Sequence, residues 1–303
     1  MSTEPARDLQ LERELFVRAL MPSIRGDGAA RLAAMLEPLE MPADTYLFRT
    51  GEPPEQFFFV VDGHVSMEVE GQAPWTFGPR SLVGMTDMTM GRPHRRSART
   101  TRPTQLLVGR SKQWMDLLDD DPLMAESAIN SFSRMMHEIW KTHGRLLPDQ
   151  PIAFAEHLSL PLPLYQKTLV LRDTPLFARA GTQAIASLAQ VARELSIGEG
   201  SYVFREGDAG PTLYVVVSGV IELCFARDRE VRVGPFGVLS AAAALSGQLG
   251  QYSARAATPS VLLEIQNEDY YDQAEEHPEL TRAAMSYMAS ERERLMDLVP
   301  PTA

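Results

Sequence analysis

Residues 46–63 read YLFRTGEPPEQFFFVVDG, and residues 202–219 read YVFREGDAGPTLYVVVSG. The chain is a tandem repeat. Each copy passes from a short apolar entry through an Arg, a Gly and an acid (Arg49, Gly51, Glu52; Arg205, Gly207, Asp208) into an unbroken apolar run closed by Gly63 or Gly219. Such a run between turn residues predicts a buried strand. A single offset of 156 residues, without a gap, aligns residues 15–122 with 171–278, and 24 of those 108 positions are identical, where average composition would give about 7. The identities include Gly78/Gly234, Pro79/Pro235, Gly91/Gly247 and Ser97-Ala98-Arg99/Ser253-Ala254-Arg255. These are turn glycines and strand residues of the kind a backbone fold demands.

The 303 residues, 44% of them hydrophobic, suffice for two ordinary cores. Twenty-nine Lys and Arg against 40 Asp and Glu give a net charge of -11, which repels a polyanion unless basic residues gather on one face. The single cysteine, Cys224, lies in an apolar stretch and is expected to be a packed thiol, so there is no disulfide framework. The N-terminal MSTEPARDLQLEREL is polar from its start and lacks the apolar core of a secretion signal, so a cytoplasmic location is expected. No apolar run approaches the roughly 20 residues of a membrane-spanning helix.

Helical spacing of Leu and Phe over residues 8–20 and again over 29–39 predicts that the first repeat opens with helices. Short apolar strands separated by Gly, Pro and Asp then run to about residue 108, as in a small antiparallel barrel or roll. A further helix is predicted over 125–143, with Ile129, Phe132, Met135, Met136 and Trp140 along one stripe. Four prolines interrupt residues 145–166, which reads as a linker packed on a domain. The boundaries expected are a first domain at 8–144, a Pro-rich linker at 145–167 and a second domain at 168–299. The second domain closes with a helix at 277–298 striped by Leu280, Ala284, Tyr287, Met288, Leu295 and Leu298. Such terminal helices serve either as core or as the seam of a homodimer.

This order of helices, glycine-bounded strands, a short helical cassette and closing helices, together with the Gly-acid and Val-Val-x-Gly spacing, resembles the cyclic-nucleotide-binding domain family. The likeness covers almost the whole chain, twice. It implies an α+β, mainly β fold of two tandem, jelly-roll-like β-rolls with flanking helices. The family includes the catabolite activator protein and the regulatory subunits of cyclic-AMP-dependent kinase, which also carry two such domains in tandem. In the family a cassette runs from a Gly-Glu pair through a short helix to an Arg followed by small residues. The Arg and the helix N-terminal amides hold the cyclic phosphate, while the Glu accepts a hydrogen bond from the ribose 2'-hydroxyl.

Carried over to repeat one, Gly84 matches, Met85 stands where the Glu belongs, and Arg96 before Ser97 stands where the phosphate-binding Arg belongs, with Arg95 as a register alternative. Asp87 is a less direct substitute for the missing carboxylate, because a side chain two positions on points elsewhere. In repeat two Ala241 replaces the Glu, and Tyr252, ahead of Ser253, replaces the Arg. Arg255 matches Arg99 of repeat one, which favours a structural role shared by both. Arg92, His94, Arg95, Arg96, Arg99 and Arg102 form a dense basic cluster for so acidic a chain. It is either an anion-binding surface, for a nucleotide phosphate or an acidic partner, or a solvated loop.

No zinc-ligand spacing, no Gly-rich phosphate loop and no Ser-His-Asp or Cys-His constellation is present, so an enzyme is not expected. After Leu298 only Val-Pro-Pro-Thr-Ala remains, so DNA reading through an appended helix-turn-helix is not expected either. Two readings stay open. One is a non-catalytic cytoplasmic regulatory protein with degenerate cassettes, acting through protein–protein contacts and needing no cofactor. The other is a sensor whose first repeat binds a cyclic nucleotide through Arg96 and shifts the helix at 125–143.

Overall fold

The computed structural model describes residues 13–18, 21–24, 27–150, 160–210, 212–225 and 229–298. They form two compact units, one ending at Ser131 and the other running from Phe132. In the first unit, helix α1 (Gly28–Met35) precedes β1 (Glu37–Met41), β2 (Tyr46–Phe48), β3 (Gln56–Asp62), β4 (Val65–Glu68), β5 (Trp75–Phe77) and β6 (Leu82–Val83). Then follow α2 (Met85–Thr89), β7 (Ser97–Thr100), β8 (Thr104–Arg110), α3 (Ser111–Asp120) and α4 (Pro122–His143), whose residues from Phe132 on belong to the second unit. The strands make two antiparallel sheets, ordered β1-β8-β3-β6 and β2-β7-β4-β5.

The second unit repeats this plan. Helices α5 (Leu164–Asp173) and α6 (Thr182–Val191) lead into β9 (Arg193–Ile197), β10 (Tyr202–Phe204), β11 (Thr212–Ser218), β12 (Ile221–Phe225), β13 (Arg229–Val233) and β14 (Val238–Leu239). After α7 (Ala241–Ser246) come β15 (Ser253–Ala256), β16 (Ser260–Gln266), α8 (Asn267–Glu276) and α9 (Pro278–Leu298). Its sheets are β9-β16-β11-β14 and β10-β15-β12-β13, the order of the first unit with each strand number advanced by eight. The irregularities repeat too: β2 and β10 shift register at Tyr46/Phe48 and Tyr202/Phe204, and β3 and β11 at Val60/Asp62 and Val216/Ser218. Two tandem β-rolls with flanking helices are therefore present.

The unbroken apolar run in β3 is buried from Phe57 to Val60 because the strand pairs with β8 on one side and β6 on the other while its faces meet protein. Phe57 packs edge-on against Phe59 and against Trp114 of α3, which is 1% exposed. Strand β7 alternates, with Ala98 and Thr100 turned inward. In α9, Leu280, Ala284, Met288 and Leu295 of the sequence stripe are buried within the unit, whereas Leu298 is exposed.

Two boundaries differ from the sequence reading. The helix expected over 29–39 stops at Met35, and Leu39 instead pairs with Leu106 in β1. Pro38 accounts for this, since it lacks the amide that a helix interior requires. The helix expected from residue 125 already starts at Pro122, a residue suited to a first helical turn. Of the helix expected over 8–20, residues 13–18 are helical and the rest lies outside the described residues. In the proline-rich stretch, residues 151–159 lie outside the described residues, Gln150 donates its amide to the Arg232 carbonyl, and α5 begins at Leu164. Among the described residues no helix is long and apolar enough to cross a membrane.

Gly63 and Gly219 turn the chain with φ of 100° and 85°. A Cβ at Gly63 would lie 2.6 Å from Thr104 Cα, and one at Gly219 would lie 2.6 Å from the Pro259 carbonyl oxygen. Gly71 has a φ of 77° but nothing within 4 Å of its would-be Cβ. Gly63→Ala should therefore destabilise the first unit by about 2–4 kcal/mol, and Gly71→Ala by only about 1 kcal/mol. Urea unfolding of the two variants side by side measures the difference.

Candidate functional site: the two cassettes

In the first unit β6 delivers the chain to Gly84, whose φ of 88° opens α2. Glycine takes this left-handed turn without a Cβ penalty. Met85, in the position of the family's carboxylate, is buried. Asp87 is buried as well, and its carboxylate is engaged from within the cassette. Arg92 Nε donates to Oδ1 at 2.8 Å, the Arg95 amide donates to Oδ2 at 3.2 Å, and His94 Nδ1 lies 3.4 Å from Oδ2. Burial pushes the carboxyl pKa up, but the bonds to His94, Arg92 and the Arg95 amide outweigh it and hold the group below its ordinary value. His94, itself buried, stacks on Phe48 with ring centroids 3.6 Å apart. Asp87 thus folds the loop after α2 back onto the helix.

Arg96 is 4% exposed. Its guanidinium lies 3.9 Å from the centre of the Trp75 ring and donates to the Ala73 carbonyl at 3.3 Å and to Gln72 Oε1. It is therefore drawn toward the turn between β4 and β5. Ser97 Oγ accepts the Thr50 amide at 3.0 Å, and Ser253 Oγ accepts the Glu206 amide at 2.9 Å. The serine shared by the repeats thus pins the loop that follows β2 or β10.

The other basic residues of the cluster do not share one surface. Arg92 is on Asp87, Arg99 bridges Asp44 at 2.6 Å and Glu68 at 3.2 Å, and Arg102 lies 3.6 Å from Asp62. The Arg95 side chain is exposed. Arg255, the counterpart of Arg99, likewise meets Glu222 at 2.9 Å and Glu230 at 3.1 Å. Both arginines tie carboxylates together across a sheet.

The second cassette is built differently. Ser240, with φ of 63°, stands where repeat one has Gly84, and α7 begins at Ala241. Tyr252 is buried, and its hydroxyl oxygen accepts the Ser240 amide at 2.9 Å. Phe225, Phe204 and Trp140 surround the ring, with centroids 5.3, 5.5 and 5.8 Å away. Burial pushes the phenol up to about 12, so it stays neutral at pH 7. The cavity left beside it, bounded by Trp140, Ala241, Gln251, Tyr287 and Glu291 among others, is about 20 Å³, room for about one water. Trp140 comes from the part of α4 that belongs to the second unit.

The family model described as Cyclic nucleotide-binding domain matches residues 38–121 and again 194–277. The chain belongs to the cyclic nucleotide-binding domain family. Among solved structures it is similar to the regulatory domain of Toxoplasma gondii PKA with cAMP, at 12% identity and a TM-score of 0.37 over 96% of this chain and 99% of that one. The regulatory subunit of a cAMP-independent protein kinase A from Trypanosoma brucei gives 13% and 0.37, over 87% and 88%. The N-terminal domain of a transcriptional regulator from Streptomyces coelicolor A3(2) gives 27% and 0.39, over 44% of this chain and 99% of that one. No curated protein matches.

Within this cyclic nucleotide-binding domain pair, the structure brings Gly84, Met85 and Asp87 into one cassette with Arg92 and His94, while Arg99 and Arg102 pair elsewhere. The Asp87–His94 pairing escapes a reading of repeat one alone. A comparison of the repeats carries its signal: Asp87, Arg92 and His94 correspond to Ala243, Gln248 and Gly250, so all three are exchanged together. The ring around Tyr252 had no such signal, because Trp140 belongs to a helical stripe. Cys224 is half-buried and its thiol is pushed up, chiefly by burial, which suits a packed thiol. Among the described residues no group of three or more His, Cys, Asp or Glu could hold a metal ion.

Asp87→Asn should cost the first unit about 1–3 kcal/mol, because buried donors lose a charged acceptor. The native carboxylate has a folded pKa below its unfolded one. Its contribution is therefore complete above the ordinary value of 3.8 and disappears as pH falls below it toward the folded value. The gap between native and Asn variant should narrow as pH falls below 3.8 in denaturant titrations. In the second unit Tyr252→Phe preserves the ring packing but leaves the Ser240 amide without its acceptor. A loss of about 1–3 kcal/mol is expected, read from the same unfolding curves.

Proposed function

We propose that this chain is a non-catalytic regulatory protein of the cyclic nucleotide-binding type that acts through protein–protein contacts, with a second cassette closed by its own side chain instead of a ligand. The observation that carries this reading is the Ser240 amide bound to the Tyr252 hydroxyl. In the family, amides at the start of the cassette helix face the cyclic phosphate; here Tyr252 supplies the oxygen, and its aromatic neighbours leave only about 20 Å³. A nucleotide entering there would have to expel a buried tyrosine from a packed cluster. Ala241, moreover, offers no acceptor for a ribose hydroxyl, a deficit of about 1–3 kcal/mol.

In the first cassette Met85 has the same deficit. Arg96 is nevertheless a buried guanidinium at the family's phosphate-binding position, and that observation favours a second reading, in which repeat one alone senses an anionic nucleotide. Both readings place the protein in regulation. The first also places it in the cytoplasm with a protein partner. A homodimer through the terminal helices is less supported, because the α9 stripe is largely spent on the interior of its own unit.

Isothermal titration calorimetry of cyclic AMP, cyclic GMP and cyclic di-GMP into the intact chain tests both. The first reading expects no saturable heat. One saturating site that Arg96→Ala removes and Tyr252→Phe leaves unchanged would establish the sensor, and binding that Tyr252→Phe alters would overturn the closed second cassette.

A further inference from the structure

A cleft of about 250 Å³ opens on the first unit between the end of β2 and the start of β3. Its inner wall is apolar and rigid: Phe48 and Phe58 are buried and stacked, and His94 lies flat on Phe48 with Asp87 beyond it. Leu47 and Pro53 extend that wall outward, and the exposed Glu52, Glu55 and Gln56 stand at the mouth. No Lys or Arg is among the lining residues. Asp44, Asp62, Glu68 and Asp87 of the same unit are each paired with an arginine. Among the described residues, neither Glu52 nor Glu55 makes an ion pair, although Glu52 Oε2 accepts the Arg49 amide at 2.8 Å. The volume lies below the roughly 300–1,000 Å³ of pockets for whole small-molecule ligands and suits one long side chain.

We infer that this cleft receives an arginine side chain of a partner polypeptide. The aliphatic stem lies on Leu47, Pro53 and Phe58, as stems of long cationic side chains do on apolar surface. The guanidinium reaches the two carboxylates at the mouth, where its planar fork matches carboxylate geometry better than an ammonium does. The net charge of -11 draws a basic segment toward the surface before it docks. Repeat two keeps one carboxylate, Asp208, at the position of Glu52, but has Pro211 at that of Glu55 and Gly250 at that of His94, so the paired carboxylates over a stacked wall belong to repeat one alone. This extends the protein-contact reading by naming one contact, and its failure would leave the calorimetric result on the cassettes untouched.

The test uses acetyl-arginine methylamide, added to the intact, deuterated and ¹⁵N-labelled chain, with amide shifts followed by NMR. Saturable shifts confined to residues 47–58 and 94 are expected in the millimolar range. They should weaken about three-fold or more in Glu55→Gln and vanish in Gln56→Lys, which sets a competing cation at the mouth. Both substitutions are at exposed positions, and an unchanged spectrum elsewhere verifies the fold. Acetyl-norleucine methylamide, which keeps the stem and lacks the charge, should produce no such shifts. Equal shifts from the norleucine probe, shifts centred on other carboxylates, or none at tens of millimolar would each overturn the inference.

Discussion

At Gly63 and Gly219 the chain turns in the left-handed region against the backbone where β8 or β16 begins, so closely that a Cβ would overlap Thr104 or Pro259 at 2.6 Å. That approach lets the buried strand before the turn and the strand after it lie in different sheets of one roll. From it follow the register shifts at Val60/Asp62 and Val216/Ser218 just ahead of each glycine. Once β3 or β11 is placed, β8 or β16 pairs along nearly its whole length, and the short β6 or β14 on the other side delivers the chain to the cassette. The same constraint operates twice, so the two rolls share a strand order although most of their residues differ.

On that common frame the two cassettes solve one problem in opposite ways. A short helix set beneath a roll leaves polar backbone groups and space that must be filled or satisfied. Repeat one uses charge: Asp87 gathers Arg92, His94 and the Arg95 amide, and the cluster is stable because the carboxylate is fully engaged. Repeat two uses aromatic bulk, with the Tyr252 oxygen on the Ser240 amide and three rings about the phenol. A partial version of either would leave a buried group unsatisfied, which explains why Asp87, Arg92 and His94 are replaced together in the second copy.

Three arginines of the basic cluster are spent on carboxylates of their own unit. Arginines that look like an anion site along the sequence reach Asp44, Glu68, Asp62 and Asp87 once the strands are paired. Pairing across a sheet brings together residues 31 to 55 positions apart, as with Arg99, and local density of like charge along the chain says little about what surrounds each guanidinium in space.

The duplication, the family, the buried strand and the position of both cassettes were legible in the sequence, because they depend on periodicity and on glycines at fixed spacing. Pro38 was legible too, and it ends the first helix no later than Glu37. Through the family resemblance, the sequence also marks Met85, Ala241 and Tyr252 as departures from the expected ligand-holding pattern. Only the tertiary structure decided what those positions do instead. Tyr252 meets Trp140, 112 positions away in the chain, and Arg96 turns to Gln72, 24 positions away. Side-chain partners of this kind are selected by which strands become neighbours, and a linear pattern carries no record of that choice.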